Sequence, residues 1–290
     1  MKQRTFLLAL LLMLNVAADA FAAIGVNDDL SHAVTLPQPA RRIITLAPHT
    51  MELVHAAGGL GNIVGRGSYS TYPPVARAIP VVGDHKQIDI EHVLALKPEL
   101  VVAWRYGVPQ RQIDQLRRRG IAVFISDPRK LDDIADSIVR LGKLLGHEQR
   151  AQQQAGEFRR KLAALSARFS QRPKLRVFYQ VSERPLYTLN DRHLVGEAIR
   201  LCGGTNIFGG LPSIAPQVGI EAVLAANPQV IVSNNVDPGG RGLAFWRSYP
   251  VVDAVRRGKL FRLNPDLLDR PGPRMADGVQ ALCEAMEQAR

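Results

Sequence analysis

Residues 90–104, IEHVLALKPELVVAW, return in altered form 130 positions later as residues 220–234, IEAVLAANPQVIVSN. Without gaps the two windows agree at Ile90/Ile220, Glu91/Glu221, Val93/Val223, Leu94/Leu224, Ala95/Ala225, Pro98/Pro228 and Val102/Val232. Each copy reads as a short helix with apolar residues at helical spacing, a Pro that stops it, and a β-branched run that fits a buried strand. A recurrent helix-to-strand unit of any α/β protein accounts for the apolar matches. It does not account for the glutamate that recurs at each helix start.

The surrounding sequence fits a duplicated lobe. After a short polar leader to about Arg41, residues 42–147 alternate strand and helix signals: RIITLAP, HTMELVHAAGG, IVGRG, the first repeat, QRQIDQLRRRG, IAVFISD and LDDIADSIVRLGKLLG. Such alternation implies a mainly parallel sheet covered by helices. In residues 148–172 the pattern changes. Apolar residues fall at Ala151, Ala155, Phe158, Leu162, Leu165 and Phe169, with spacings alternating four and three. That is one amphipathic helix, about 24 residues and some 35 Å long, acting as a rigid connector. Pro173 ends it, and residues 173–290 carry a second α/β segment that contains the second repeat. The expected fold is therefore α/β, with two Rossmann-like lobes of mainly parallel sheet joined by one long α-helix.

The first 22 residues read as a secretory signal peptide. Lys2 and Arg4 precede an apolar core from Phe6 to Val16, and small residues follow at Ala18, Ala20 and Ala22. The apolar run is too short to span a bilayer, and no Cys follows it to carry a lipid anchor. We expect cleavage after Ala22 or Ala20 and a soluble, exported, periplasmic chain. Removing residues 1–22, which contain Lys2, Arg4 and Asp19, lowers the formal charge from +11 to +10. This charge favours acidic partners or anionic surfaces, but the sequence holds no nucleic-acid motif, and basic runs such as QLRRRG (115–120) read as solvated helix faces. Cys202 and Cys283 are the only cysteines. In an exported chain an even pair reads as a disulfide, here within the second lobe, against the alternative of two separate buried thiols.

Two such lobes place strand-end loops on either side of a cleft, where open sheets bind ligands. The candidate residues are Tyr69, Tyr72, His85, Trp104, Arg105 and Tyr106 from the first lobe, and Tyr187, the Pro212–Gln217 loop, Asp266 and Arg270 from the second. Aromatics in loops can stack on a flat ligand. No GxSxG elbow, HExxH pair or phosphate loop is present, so no catalytic residue is expected and a binding protein is favoured over an enzyme.

The stretches SYSTYPP, EHVLALKPELVVAWR, SDP (126–128), LCGGTNIF (201–208) and PQVGIEAVLA (216–225) together resemble the periplasmic cobalamin (vitamin B12)-binding proteins of the BtuF type. These lie within the ABC-importer family of cobalamin, haem and iron-siderophore substrate-binding proteins. The resemblance covers nearly the whole chain after residue 22. It implies two lobes with limited hinge motion, cobalamin as transported ligand rather than prosthetic group, and a monomer that docks on an ABC importer permease dimer. Glu91 and Glu221 fall where family members form salt bridges with arginines on the two transmembrane subunits. The simpler reading of either glutamate alone is a charge favourable to its helix dipole, worth roughly 0.3 to 1 kcal/mol. Tyr69, Trp104 and Tyr187 match aromatic positions of the family's corrin pocket, Asp266 and Arg270 match polar ones, and Cys202 and Cys283 match its disulfide. His85 and Ala215 stand where the cobalamin binders have tryptophans. His85 is thereby a candidate ligand for a metal centre such as cobalt or haem iron, and no other metal site is expected. A haem or ferric-siderophore carrier of the same fold is the near alternative. An exported enzyme or a sensor domain is the alternative of another class.

Overall fold

The computed structural model describes residues 23–84, 86–233 and 241–290. The expected signal peptide at residues 1–22 and the candidate His85 lie outside the described residues. The chain opens with an antiparallel hairpin, β1 (Ile24–Asn27) paired with β2 (Ala33–Leu36). The sequence suggests a polar leader here. The difference lies in β2, where Val34 and Leu36 are buried while Ala33 and Thr35 are exposed, a short alternation that packs the hairpin on the first lobe.

The first lobe continues through β3 (Ile43–Thr45), α1 (Pro48–Ala56), β4 (Ile63–Gly67), β5 (Val81–Gly83), α2 (Ile90–Ala95), β6 (Leu100–Trp104), α3 (Gln110–Arg118), β7 (Ala122–Ser126) and α4 (Leu131–Leu145). Its sheet is parallel, in the order β5-β4-β3-β6-β7. The connector α5 (Glu148–Phe169) has 22 residues, stops three residues short of the expected Arg172, and spans about 33 Å. The second lobe comprises β8 (Leu175–Gln180), the short pair β9 (Ser182–Glu183) and β10 (Leu186–Tyr187), α6 (Leu194–Leu201), β11 (Gly204–Asn206), α7 (Ile220–Ala226), β12 (Val230–Ser233), α8 (Asp253–Arg256), β13 (Leu260–Arg262), α9 (Pro265–Leu268) and α10 (Met275–Ala289). Its sheet is also parallel, in the order β11-β8-β12-β13.

The strand order β4-β3-β6-β7 is thus repeated as β11-β8-β12-β13, and the repeat strands β6 and β12 hold matching places. The likeness extends to the helix ends, where the acceptor carbonyls differ by one position. Lys97 and Asn227, equivalent in the repeat, both take left-handed backbone at φ 45° and 44° and end their helices before Pro98 and Pro228. Arg42 donates Nε and Nη2 to the Leu96 carbonyl at 2.9 and 2.6 Å, and Arg176 donates the same two groups to the Asn227 carbonyl at 3.1 and 2.9 Å. Each arginine satisfies a carbonyl that the helix end leaves unpaired.

Alternating side chains divide each sheet between two cores. Ile43, Leu100 and Val102 of the first sheet and Val177, Tyr179, Val230 and Val232 of the second face one continuous apolar cluster, which runs through α4, α5 and α10. The opposite faces have cores of their own, Ile44 and Val101 with Val93 in one lobe, Phe178 and Ile231 with Val223 in the other. The connector is therefore buried between the lobes along its apolar stripe, through Ala151, Ala155, Phe158, Leu165 and Phe169. A disulfide between Cys202, just after α6, and Cys283 in α10 ties the second lobe internally.

Candidate functional site

Parallel sheets present their carboxyl ends to ligands, and several of the candidate residues sit there. Trp104 is the last residue of β6 and half-buried. Its ring stands edge-on to His49, 5.9 Å away at 90°, and to Tyr106, 5.7 Å away at 77°. His49 is held in place as the second residue of α1, whose start is fixed by Pro48. Tyr69 follows β4 and is 58% exposed. Tyr69, Trp104, Pro48 and Asp84 line a shallow hollow of about 80 Å³. Gly107 leaves room beside it, since a Cβ there would stand 3.2 Å from the Trp104 ring.

The second lobe brings charge to this wall. Arg270 Nη2 forms an ion pair with Asp266 Oδ1 at 2.6 Å, and its buried Nη1, without a hydrogen-bond partner among the described residues, lies 3.9 Å from Glu52 Oε1. Glu52 belongs to α1 of the first lobe and is 2% exposed. It takes a bidentate bond from Arg274, with Nη2 2.6 Å from Oε1 and Nε 3.0 Å from Oε2. The Arg274 guanidinium also lies over the Tyr72 ring, 3.9 Å from its centre. Two carboxylates and two guanidiniums thus balance at the junction of the lobes, as partly buried charges must. Burial first, and then the Arg270 cation, push the His49 imidazole down to about 3, so it is neutral at any working pH. Burial pushes the Asp269 carboxyl up to about 6, against the opposing pull of a hydrogen bond from the Tyr179 hydroxyl and of Arg270.

Trp104 and His49 form one pair in ring contact, Arg270 and Asp266 form another in ion pairing, the two linked through the charge of Arg270 on His49, and Tyr69 lies on the same hollow as Trp104. Tyr187 stands outside this group on the second lobe. It is 36% exposed, pairs with Gln217 across an isolated bridge, and is followed by Thr188, whose amide donates to the Pro216 carbonyl at 3.1 Å. These bonds fix Tyr187 against the 212–217 loop that carries Ala215. Glu91 and Glu221 are exposed in the first turns of α2 and α7, on the sheet faces away from the connector. Among the described residues no three His, Cys, Asp or Glu side chains are grouped to hold a metal ion.

Sequence reasoning did not single out His49, Glu52 or Arg274. Their only signal is position: polar residues set in the apolar run PHTMELV, directly after a strand, and an arginine just before the last helix. The model of the family described as periplasmic binding protein matches residues 43–267. The chain belongs to the periplasmic binding protein family. Among members of known name, the vitamin B12-binding protein of Vibrio cholerae is 39% identical over 256 residues, covering 88% of this chain and 92% of that one. The vitamin B12-binding protein of Yersinia pestis is 38% identical, covering 87% and 89%. In three dimensions the chain is similar to the crystal structure of the periplasmic vitamin B12 binding protein BtuF of Vibrio cholerae, with a TM-score of 0.79 and 38% identity over 87% of this chain and 98% of that one. It is also similar to the periplasmic haem-binding protein RhuT of Roseiflexus sp. RS-1 in apo form, with a TM-score of 0.74 and 25% identity over 86% and 99%.

Proposed function

We propose that this periplasmic binding protein captures a corrinoid, cobalamin, in the cleft between its lobes and delivers it to an ABC importer. The observation that carries this reading is the pair Trp104 and Tyr69 at the strand ends of the first lobe, with Arg270 and Tyr187 supplied by the second, in a chain that aligns over most of its length with vitamin B12-binding relatives. Aromatic faces suit a broad flat macrocycle, and a fixed guanidinium suits the amide groups at its rim. The hollow beside Trp104 is far smaller than such a ligand, so it serves as one wall and the opposite lobe closes the site. In this reading the lobes comprise residues 42–147, extended by the hairpin at 24–36, and residues 173–290, with 148–172 between them. The chain acts as a monomeric carrier without catalysis or prosthetic group, and it is exported by a signal peptide at residues 1–22.

Delivery rests on Glu91 and Glu221. Their equivalent, exposed positions at the two ends of a pseudo-symmetric molecule suit a permease dimer, which offers the same contact twice. His85 and Ala215, in place of two aromatic walls, favour haem as the second reading. Titration of residues 23–290 with cyanocobalamin, hemin and a ferric catecholate, followed by tryptophan fluorescence and visible absorbance, separates these. Saturable quenching by cyanocobalamin at micromolar concentration or below is expected. Quenching by hemin alone, with an absorbance change at the iron, would overturn the corrinoid reading in favour of haem.

A further inference from the structure

Glu52 belongs to the first lobe, yet everything it binds belongs to the second or approaches from it. Its carboxylate holds Arg274 through two hydrogen bonds and lies 3.9 Å from Arg270 Nη1. The segment between those arginines is seated against the same group: a Cβ on Gly272 would meet Glu52 Oε2 at 3.1 Å. Arg270 is held from its other side by Asp266, and its side chain stays 22% exposed. Asp266 anchors Arg270 at Nη2, while Nη1 is buried without a hydrogen-bond partner among the described residues and faces the Glu52 charge across 3.9 Å, so Glu52 acts on this guanidinium through charge rather than through a bond. That charge comes from the opposite lobe, so it draws Arg270 toward the lobe that carries Trp104.

We propose that Glu52 is a positioning residue for the cleft: it reaches across the lobe junction to pre-set Arg270 against the first lobe's aromatic wall, without touching the ligand itself. This rests on the corrinoid reading above. A carboxylate that merely ties the lobes together would act through Arg274, whereas a positioning carboxylate acts through Arg270. The two roles separate in a double-mutant cycle.

Affinity for cyanocobalamin is measured for wild type, Glu52→Gln, Arg270→Ala, the double variant and Arg274→Gln, with the thermal melt of each. Glu52→Gln is expected to weaken binding about tenfold, through loss of the counter-charge that draws Arg270. In the Arg270→Ala background the same change is expected to add less than about twofold. Arg274→Gln, which leaves the Glu52 charge facing Arg270, is expected to lower the melting temperature while losing less affinity than Glu52→Gln. Glu52→Asp serves if Glu52→Gln does not fold, and its affinity is expected to fall below wild type in the same Arg270-dependent way. Unchanged affinity in Glu52→Gln, a loss that persists undiminished without Arg270, or an equal loss in Arg274→Gln would each overturn the inference. Failure of the wild type to bind cyanocobalamin in the same series would instead remove the corrinoid reading, and this inference with it.

Discussion

The repeat helix α2 and its counterpart α7 share the same isoleucine, glutamate, valine and leucine, and both end on a left-handed residue before a proline. The strands they feed diverge. β6 ends on Trp104, edge-on to His49 and Tyr106, where the sequence of the second repeat has Asn234; β12 is described as far as buried Ser233, the counterpart of Ala103. Duplication has kept what builds each sheet and what faces outward from each helix start, and it has altered the carboxyl ends of the strands. A surface read by a two-fold partner gains from staying symmetric. A cleft that holds one ligand without symmetry does not.

The most severe way to break the symmetric half is to reverse both glutamates. Glu91→Arg with Glu221→Arg is expected to abolish uptake in cells while leaving ligand affinity in solution within about twofold of wild type, since exposed helix-start charges contribute little to folding. Lost affinity in that protein would place these residues in the cleft or the fold instead. The disulfide marks an asymmetry, because it staples only the second lobe. Replacing Cys202 and Cys283 by alanine is expected to cost about 4–5 kcal/mol in chemical denaturation, given the 81-residue separation it closes. A loss below about 1 kcal/mol would show that the long connector already supplies that constraint.

The third test concerns the junction. His49 has its pKa lowered in the folded chain to about 3 from an ordinary 6.5. Its stabilising contribution is therefore complete above pH 6.5 and is lost as the pH falls toward 3. Between pH 6.5 and 4.5 this amounts to about 2–3 kcal/mol. His193, lowered to about 4 by burial, acts in the same sense, and Asp269, raised to about 6, acts in the opposite sense and favours folding as the pH drops below 6. The informative quantity is the difference between wild type and His49→Gln across that range in equilibrium unfolding. It should shrink with falling pH, and a constant difference would mean that His49 is hydrated in the folded chain. The smallest effect sharpens the comparison of the repeats themselves. Lys97 takes a backbone conformation that its counterpart Asn227 adopts at lower cost, so Lys97→Asn is expected to stabilise the chain by about 0.5 kcal/mol, readable as a small rise in melting temperature.

The lobes, the connector and most strands were legible because apolar residues at periods of two and 3.6 report directly on burial. The hairpin at residues 24–36 was not, since four-residue strands with one buried face leave too short an alternation. Glu52 was hidden for a different reason. In sequence it is a charge on a helix, and the arginine that explains its burial lies 222 positions away. His49 looks like any helix-start histidine until the ring of Trp104 is placed against it. Trp104 could be singled out because a strand that ends on a large aromatic after a β-branched run points to the mouth of a sheet. Tyr187 and Arg270 were candidates from their place in second-lobe loops, and the resemblance added their match to pocket positions.

A crystal structure of residues 23–290 grown with cyanocobalamin tests the central claim most directly. The account predicts the corrin ring between Trp104 with Tyr69 on one side and Tyr187 on the other, and Arg270 within hydrogen-bonding distance of its rim. A corrinoid bound elsewhere on the molecule, or a cleft that stays empty at saturating ligand, would contradict it.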